Sequence, residues 1–326
     1  MTLKGCSSDL GRWRLTTVDS ENDRCVHILF GEVFGACKPE AWWSWKYGEA
    51  RGLAVGAWCG DVLVAHYAGF PRQVFWNGQL VSAIQVGDVM VKASERGILT
   101  RRGAFQRCAA EFLERYVGYR CPYLLSFGFP NRRALELAEH LGLYVRVDRM
   151  VEIEWPPMTD RPRWRSRIRD LRLETDDSVV ERLWCSMAEG LSTLIVGMRD
   201  CDYLRHRYLF HPEHSYRMIV IEARLTGKAL GVIILRQEAD RCLWVDWVGR
   251  LDDLSEAIGQ ARRMAGRFGV PLYTWASTVP AGRLVMGDGR VTPLDVYIPS
   301  CAWTPGLDPK DLQSRWWLMP GDTDFL

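Results

Sequence analysis

The chain has 326 residues, 48% of them apolar, with 42 Lys+Arg against 40 Asp+Glu and a formal net charge of +2. That length and composition leave room for two domains with full cores. A balance so near neutral excludes a global electrostatic case for nucleic acid or a membrane surface as partner. The 10 cysteines and 6 histidines are scattered without a CxxC pair, so free buried thiols and no metal are expected. Residues 1–14 lack an apolar signal core, no apolar run approaches a membrane span, and the expectation is a reduced, cytoplasmic protein.

In chain order, 14–19 (RLTTVD) reads as a strand, and 22–37 alternates at helical spacing. Three strand-like runs follow at 53–58, 61–70 and 79–91, separated by the turns Cys59-Gly60-Asp61 and Trp76-Asn77-Gly78. After a loop over 92–103, residues 104–117 place Phe105, Cys108, Ala109, Phe112 and Tyr116 on one helical face. A buried strand at 123–129, a helix from Asn131 to Leu141 stopped by Gly142, and an alternating strand at 144–155 close the unit. The stretch 156–170 is proline-rich and basic and reads as a connector.

The second half repeats the first in outline. Trp45-Lys46-Tyr47 is echoed by His206-Arg207-Tyr208, and Asp88 by Asp246 in LWVDWVG. The helix 253–267 and the strand 271–277 echo 104–117 and 123–129, each followed by a proline, Pro130 and Pro280. The divisions are 1–156, a linker at 157–170, and 171–326.

Residues 85–143 carry the chemistry. A strand, a loop rich in Arg and Gly and then a helix can form an anion site, because main-chain N–H groups and the helix dipole converge on a pyrophosphate. Arg96, Arg101 and Arg102 add charge-assisted donors, and Gly103 lets main chain approach closely.

On the stretches VMVKASERGILTRRGAF, YLLSFGFPNRRALELAEHLGL and WSWKY, the first half resembles the GNAT superfamily of acyl-CoA-dependent N-acyltransferases over roughly residues 14–155. The resemblance implies an α/β fold of two tandem domains, each a twisted, mostly antiparallel sheet flanked by helices. In that family the CoA loop reads Arg/Gln-x-x-Gly-x-Gly/Ala; here Thr100-Arg101-Arg102-Gly103-Ala104-Phe105 fits, with Thr100 and Phe105 departing from the pattern. A second register places Arg96-Gly97 on the family's Arg-Gly, but leaves Leu99 where the glycine belongs. Asn131, Ala134, Leu141, Gly142 and Leu143 fit the family's Asn-x-x-Ala…Leu-Gly-Phe run. The family's parted fourth and fifth strands imply Val89, Met90, Val91 and residues 125–127, Ser126 among them, as the pantetheine-binding main chain.

Two family residues are missing. Ala138 stands where many members carry an acidic tyrosine, and Gln85 where some carry a glutamate base. Asp88 is the nearest carboxylate, with a catalytic and a turn-bonding reading both open. The second half has Arg250-Leu251-Asp252-Asp253 in place of a glycine cradle, so it is read as a degenerate copy. The apolar ending WWLMPGDTDFL is expected to dock, and some tandem members of the family use their terminal carboxylate as the base.

The resemblance therefore implies direct acyl transfer from acetyl-CoA or another acyl-CoA to an amine of a small molecule or sugar, with no metal. Two other readings stand beside it: a tandem transferase using aminoacyl-tRNA, and a non-catalytic acyl-CoA-binding scaffold.

Overall fold

The structure is a computed structural model describing residues 12–48, 51–96, 103–160, 165–285 and 288–323. The first half runs β1 (Arg14–Val18), α1 (Asp23–Phe34), α2 (Glu40–Tyr47), β2 (Leu53–Cys59), β3 (Val62–Trp76), β4 (Gln79–Val91), α3 (Ala104–Tyr116), β5 (Leu125–Gly128), α4 (Arg132–His140) and β6 (Tyr144–Trp155). β1 to β4 form an antiparallel meander, and β5 adds parallel to β4. The Asn-Gly turn joins β3 to β4 with both residues left-handed, Asn77 at φ 50° and Gly78 at φ 73°, which matches the twist of the hairpin.

The second half runs β7 (Ser166–Asp170), α5 (Asp177–Gly190), β8 (Ile195–Gly197), α6 (Cys201–Leu204), β9 (Arg217–Ala223), β10 (Ala229–Gln237), β11 (Cys242–Gly249), α7 (Leu254–Arg267), β12 (Leu272–Ser277), α8 (Thr278–Leu284), β13 (Arg290–Cys301) and β14 (Trp316–Trp317). The second sheet has the order β13-β6-β12-β11-β10-β9-β7, with β11 and β12 parallel. The fold is mixed α/β, two twisted sheets with helices against them.

The halves exchange strands. β6 does not close the first sheet, as its place in the sequence suggests, but lies between β12 and β13 in the second. In return β8 pairs with the far end of β3, and β14 pairs with β8. β13 runs beside β5, where the Tyr297 amide donates to the Pro130 carbonyl at 2.9 Å. Alternation identifies a strand and its buried face, but not the edge it joins. The linker is also shorter than composition suggests, because residues 166–170 form an edge strand paired with β9. Its arginines hid it: Arg167 and Arg169 bind Glu222 on that neighbour at 2.9 and 2.7 Å.

Tryptophan supplies much of the core. Trp155, Trp244, Trp247, Trp316 and Trp317 are fully buried, and Trp316 packs on Phe127 of the first half. The C-terminal segment thus docks through residue 323, most of it buried; residues 324–326 lie outside the described residues.

Candidate active site

β4 and β5 pair from Ala83/Leu125 to Val86/Gly128 and then part. On its other side β4 loses register with β3 between His66 and Ala68, so Asp88 and Val89 have no partner residues in that ladder. This bulge bends the strand away from its neighbour. Between the parted strands lies a cavity of about 490 Å³, lined by Gly87, Asp88, Val89, Phe105, Asn131 and Ala138 among others. Its walls are largely apolar, with Tyr67, Tyr144 and Asn131 among the polar residues that line it.

The N-terminus of α3 opens next to this cavity. Gly103 is its N-cap, at φ −72° and ψ 160°, and no side chain caps the helix. The first-turn N–H groups are therefore available to an anion. Because φ is ordinary for any residue, glycine is not needed there for its backbone freedom. Thr100, Arg101 and Arg102 lie outside the described residues. Arg96 is turned back, its Nε donating to the Val91 carbonyl at 2.8 Å.

The remaining expected residues divide. Val89, Phe105 and Asn131 line the cavity, and Asn131 also caps α4, accepting from the Ala134 amide at 2.9 Å. Met90 points the other way, into a core with Leu29 and Trp58. Ala104 and Ser126 are buried, and Val91 packs against the α3 core. These four offer at most main chain to a ligand.

Asp88 is held hard. Its φ is 47°, left-handed and sparsely occupied except by Gly, Asn and Asp. Its carboxylate takes the Lys46 ammonium at 2.9 Å and the Tyr47 hydroxyl at 2.6 Å, with both ionic side chains under a tenth exposed. Its carbonyl oxygen lies 2.9 Å from His66 Nδ1, which must carry the proton there. Burial pushes the His66 pKa down. Asp88 therefore fastens α2 to the bulge of β4.

Gln85, three residues before Asp88 on β4, is 2% exposed, with no hydrogen-bond partner for its Nε2 among the described residues. It lines a second cavity of about 260 Å³, shared with Tyr203, His206, Arg207 and Thr323 of the second half.

Composition and motif spacing missed two phenols. Tyr67 on β3 and Tyr144 at the start of β6 both line the larger cavity, their hydroxyls 2.6 Å apart. Burial raises the pKa of both, so each keeps its proton at neutral pH. Tyr144 lies across the α4–β6 turn from Ala138, where no single-helix motif could place it.

The comparisons agree with this geometry. Residues 15–139 match the family model of the acetyltransferase (GNAT) domain. No curated protein matches the chain. Among solved structures, a probable N-acyltransferase from Enterococcus faecalis V583 superposes with TM-score 0.68 at 14% identity, covering 89% of this chain and 72% of that one. A GCN5-related N-acetyltransferase from Kribbella flavida gives 0.65 at 16% identity, covering 89% and 71%. Saccharomyces cerevisiae N-myristoyltransferase with bound myristoyl-CoA gives 0.57 at 13% identity, covering 97% and 90%. Residues 15–139 thus match a GNAT acetyltransferase domain, and the chain as a whole has the fold of these solved acyltransferases.

Proposed function

We propose that the protein transfers an acyl group from acyl-CoA, acetyl-CoA or a longer relative, to the amine of a small molecule by direct transfer. The observation that supports this most is the cavity between the parted β4 and β5, apolar along its walls and open to the uncapped N-terminus of α3. The pyrophosphate would lie at that helix end, and the pantetheine arm along the edge of β4 that faces β5, beyond their last pair at Val86 and Gly128. The free amine attacks the thioester carbonyl, forming a C–N bond. The C–S bond breaks, the nitrogen sheds a proton to solvent, and the departing sulfur takes one. Tyr144, still protonated and in the cavity, is the group proposed to give that proton, which Tyr67 can help replace.

The test is release of free CoA thiol from a series of acyl-CoA esters with a panel of amines. Turnover with at least one amine is expected, and Tyr144→Phe should lower kcat about 100-fold with little change in KM for acyl-CoA. Tight CoA binding without thiol release from any pair would sink the proposal in favour of a non-catalytic binder.

A further inference from the structure

The smaller cavity lies on the face of β4 away from the phenols, one residue before the point where β4 and β5 part. Among the described residues, Lys46, Arg51, Arg72 and Arg207 line it and no carboxylate does. Lys46 is matched by Asp88. Arg72 reaches Asp322 only at 3.5 Å, and Asp322 is already held by Arg199 at 2.6 Å. Arg207 gives its N–H groups to the carbonyls of Gly321 and Thr323, which carry no formal charge, while its guanidinium lies 5.4 Å over Trp45. Over the described residues the lining of this cavity is thus positively charged.

A second, independent feature points into it. The Gln85 amide is nearly fully buried and lacks a partner for its Nε2, which costs free energy unless a ligand completes it. Gln85 pairs across the sheet with Phe70, and Arg72 stands two residues further along β3, about 7 Å away. A short molecule could therefore reach from the arginines to Gln85, beside the parted strands. The volume of about 260 Å³ suits such a molecule.

We infer that this cavity is the acceptor subsite, and that the acceptor is a small amine bearing an oxyanion, carboxylate or phosphate, which Arg72 and Arg207 hold while its nitrogen faces Gln85. This deepens the proposed acyl transfer and rests on it for the word acceptor, though not for the binding itself. The neutral His206 imidazole at the wall is consistent with the same positive field. Its pKa is pushed down to about 4 by burial and then by Arg51, Arg207 and Arg72.

The test is calorimetry on the full chain, with and without CoA, using β-alanine, phosphoethanolamine and ethanolamine as probes. One or both oxyanion amines should bind at least tenfold more tightly than ethanolamine; which of the two does so tells carboxylate from phosphate. Arg72→Gln should erase that preference, and Arg72→Lys should keep part of it. Equal binding of ethanolamine, no binding of either oxyanion amine, or a preference that survives Arg72→Gln overturns the inference. Preferential binding without thiol release in any amine assay would instead overturn the transfer reaction and leave the subsite standing.

Discussion

In the first half the Tyr47 hydroxyl donates to Asp88 at 2.6 Å; in the second the Tyr208 hydroxyl donates to Asp246 at 2.7 Å. The two tyrosines lie in matching helical segments, and the two aspartates sit just beyond matching parallel pairs, of β4 with β5 and of β11 with β12. What stands before them differs. Parted strands leave main-chain groups without partners, and these must find some. In the first half they face an open cavity. In the second the C-terminal segment fills the gap: the Ser277 amide donates to Leu318 O at 3.1 Å, and the Tyr203 hydroxyl to Gly321 O at 3.1 Å. Arg199, fully buried, ties Asp246 at 2.8 Å to Asp322 at 2.6 Å. A Cβ on Gly321 would collide with the Tyr208 hydroxyl, so only glycine passes there. The two halves thus meet the same gap differently: in the first it stays an open cavity, and in the second the chain's own C-terminal segment occupies it.

The strongest way to break this comparison is to remove the plug's anchor. Arg199→Ala strands two buried carboxylates and should cost about 3–5 kcal/mol in urea unfolding. The CoA dissociation constant of the protein that remains folded should stay unchanged. A loss under about 1 kcal/mol would show that the segment is not held by this network.

Next comes the helix end. Gly103→Asp sets a carboxylate where the pyrophosphate is proposed to lie, so CoA affinity should fall about 100-fold. Stability should be unchanged or slightly raised, since aspartate is a better N-cap than glycine by a few tenths of a kcal/mol. Opposite signs on binding and stability would mark the site as ligand-directed. Two CoA molecules per chain, or unchanged affinity, would mean the second half binds as well.

The order of elements was legible because it rests on local rules: the Asn-Gly turn, the face of α3 and the Gly142 stop all act within a few residues. The echo of Trp45-Lys46-Tyr47 in His206-Arg207-Tyr208 was legible too, and the structure gives it a cause in the two tyrosine–aspartate bonds. Strand exchange was not, since β6 alternates identically whichever sheet it joins. The candidate site was half legible for the same reason. Gly103, Val89 and Asn131 fall within runs that read locally. Tyr67 and Tyr144 meet at 2.6 Å across 77 positions, and Gln85 meets Arg207 only through the packing of the two halves.

A third change sharpens the role of Asp88. Asp88→Asn keeps an acceptor for Tyr47 and tolerates the left-handed backbone, but removes the negative charge that Lys46 meets at 2.9 Å. Stability should fall by about 2 kcal/mol. If α2 also borders the acceptor side, kcat should fall while the CoA dissociation constant moves no more than a few-fold. Unchanged kcat with lowered stability would make Asp88 purely a fastening residue.

The smallest expected effect is one of pH, and it separates the halves by their histidines. His206 and His211, on the second half, have pKa values pushed down to about 4 and about 3, chiefly by burial and then by neighbouring cations, among them Arg207 in both cases. Unfolded, each takes a proton near its ordinary value of about 6.5. The unfolded chain therefore binds more protons than the folded one between about pH 6.5 and 4, and stability present above that window is lost as pH falls through it. Both rings are only half-buried, so screening by solvent keeps the slope shallow. His66, buried in the first half and also shifted down, contributes with the same sign. Stability measured at half-unit steps on the parent and on His206→Gln isolates one share of the slope: the variant should be flatter between pH 6 and 4.5. Adding phosphoethanolamine should flatten the parent as well, because an oxyanion beside Arg72 and Arg207 raises the His206 pKa toward its unfolded value. Identical slopes in parent and variant would show that His206 is not held in a positive field, and that the two halves differ less in charge than in what fills them.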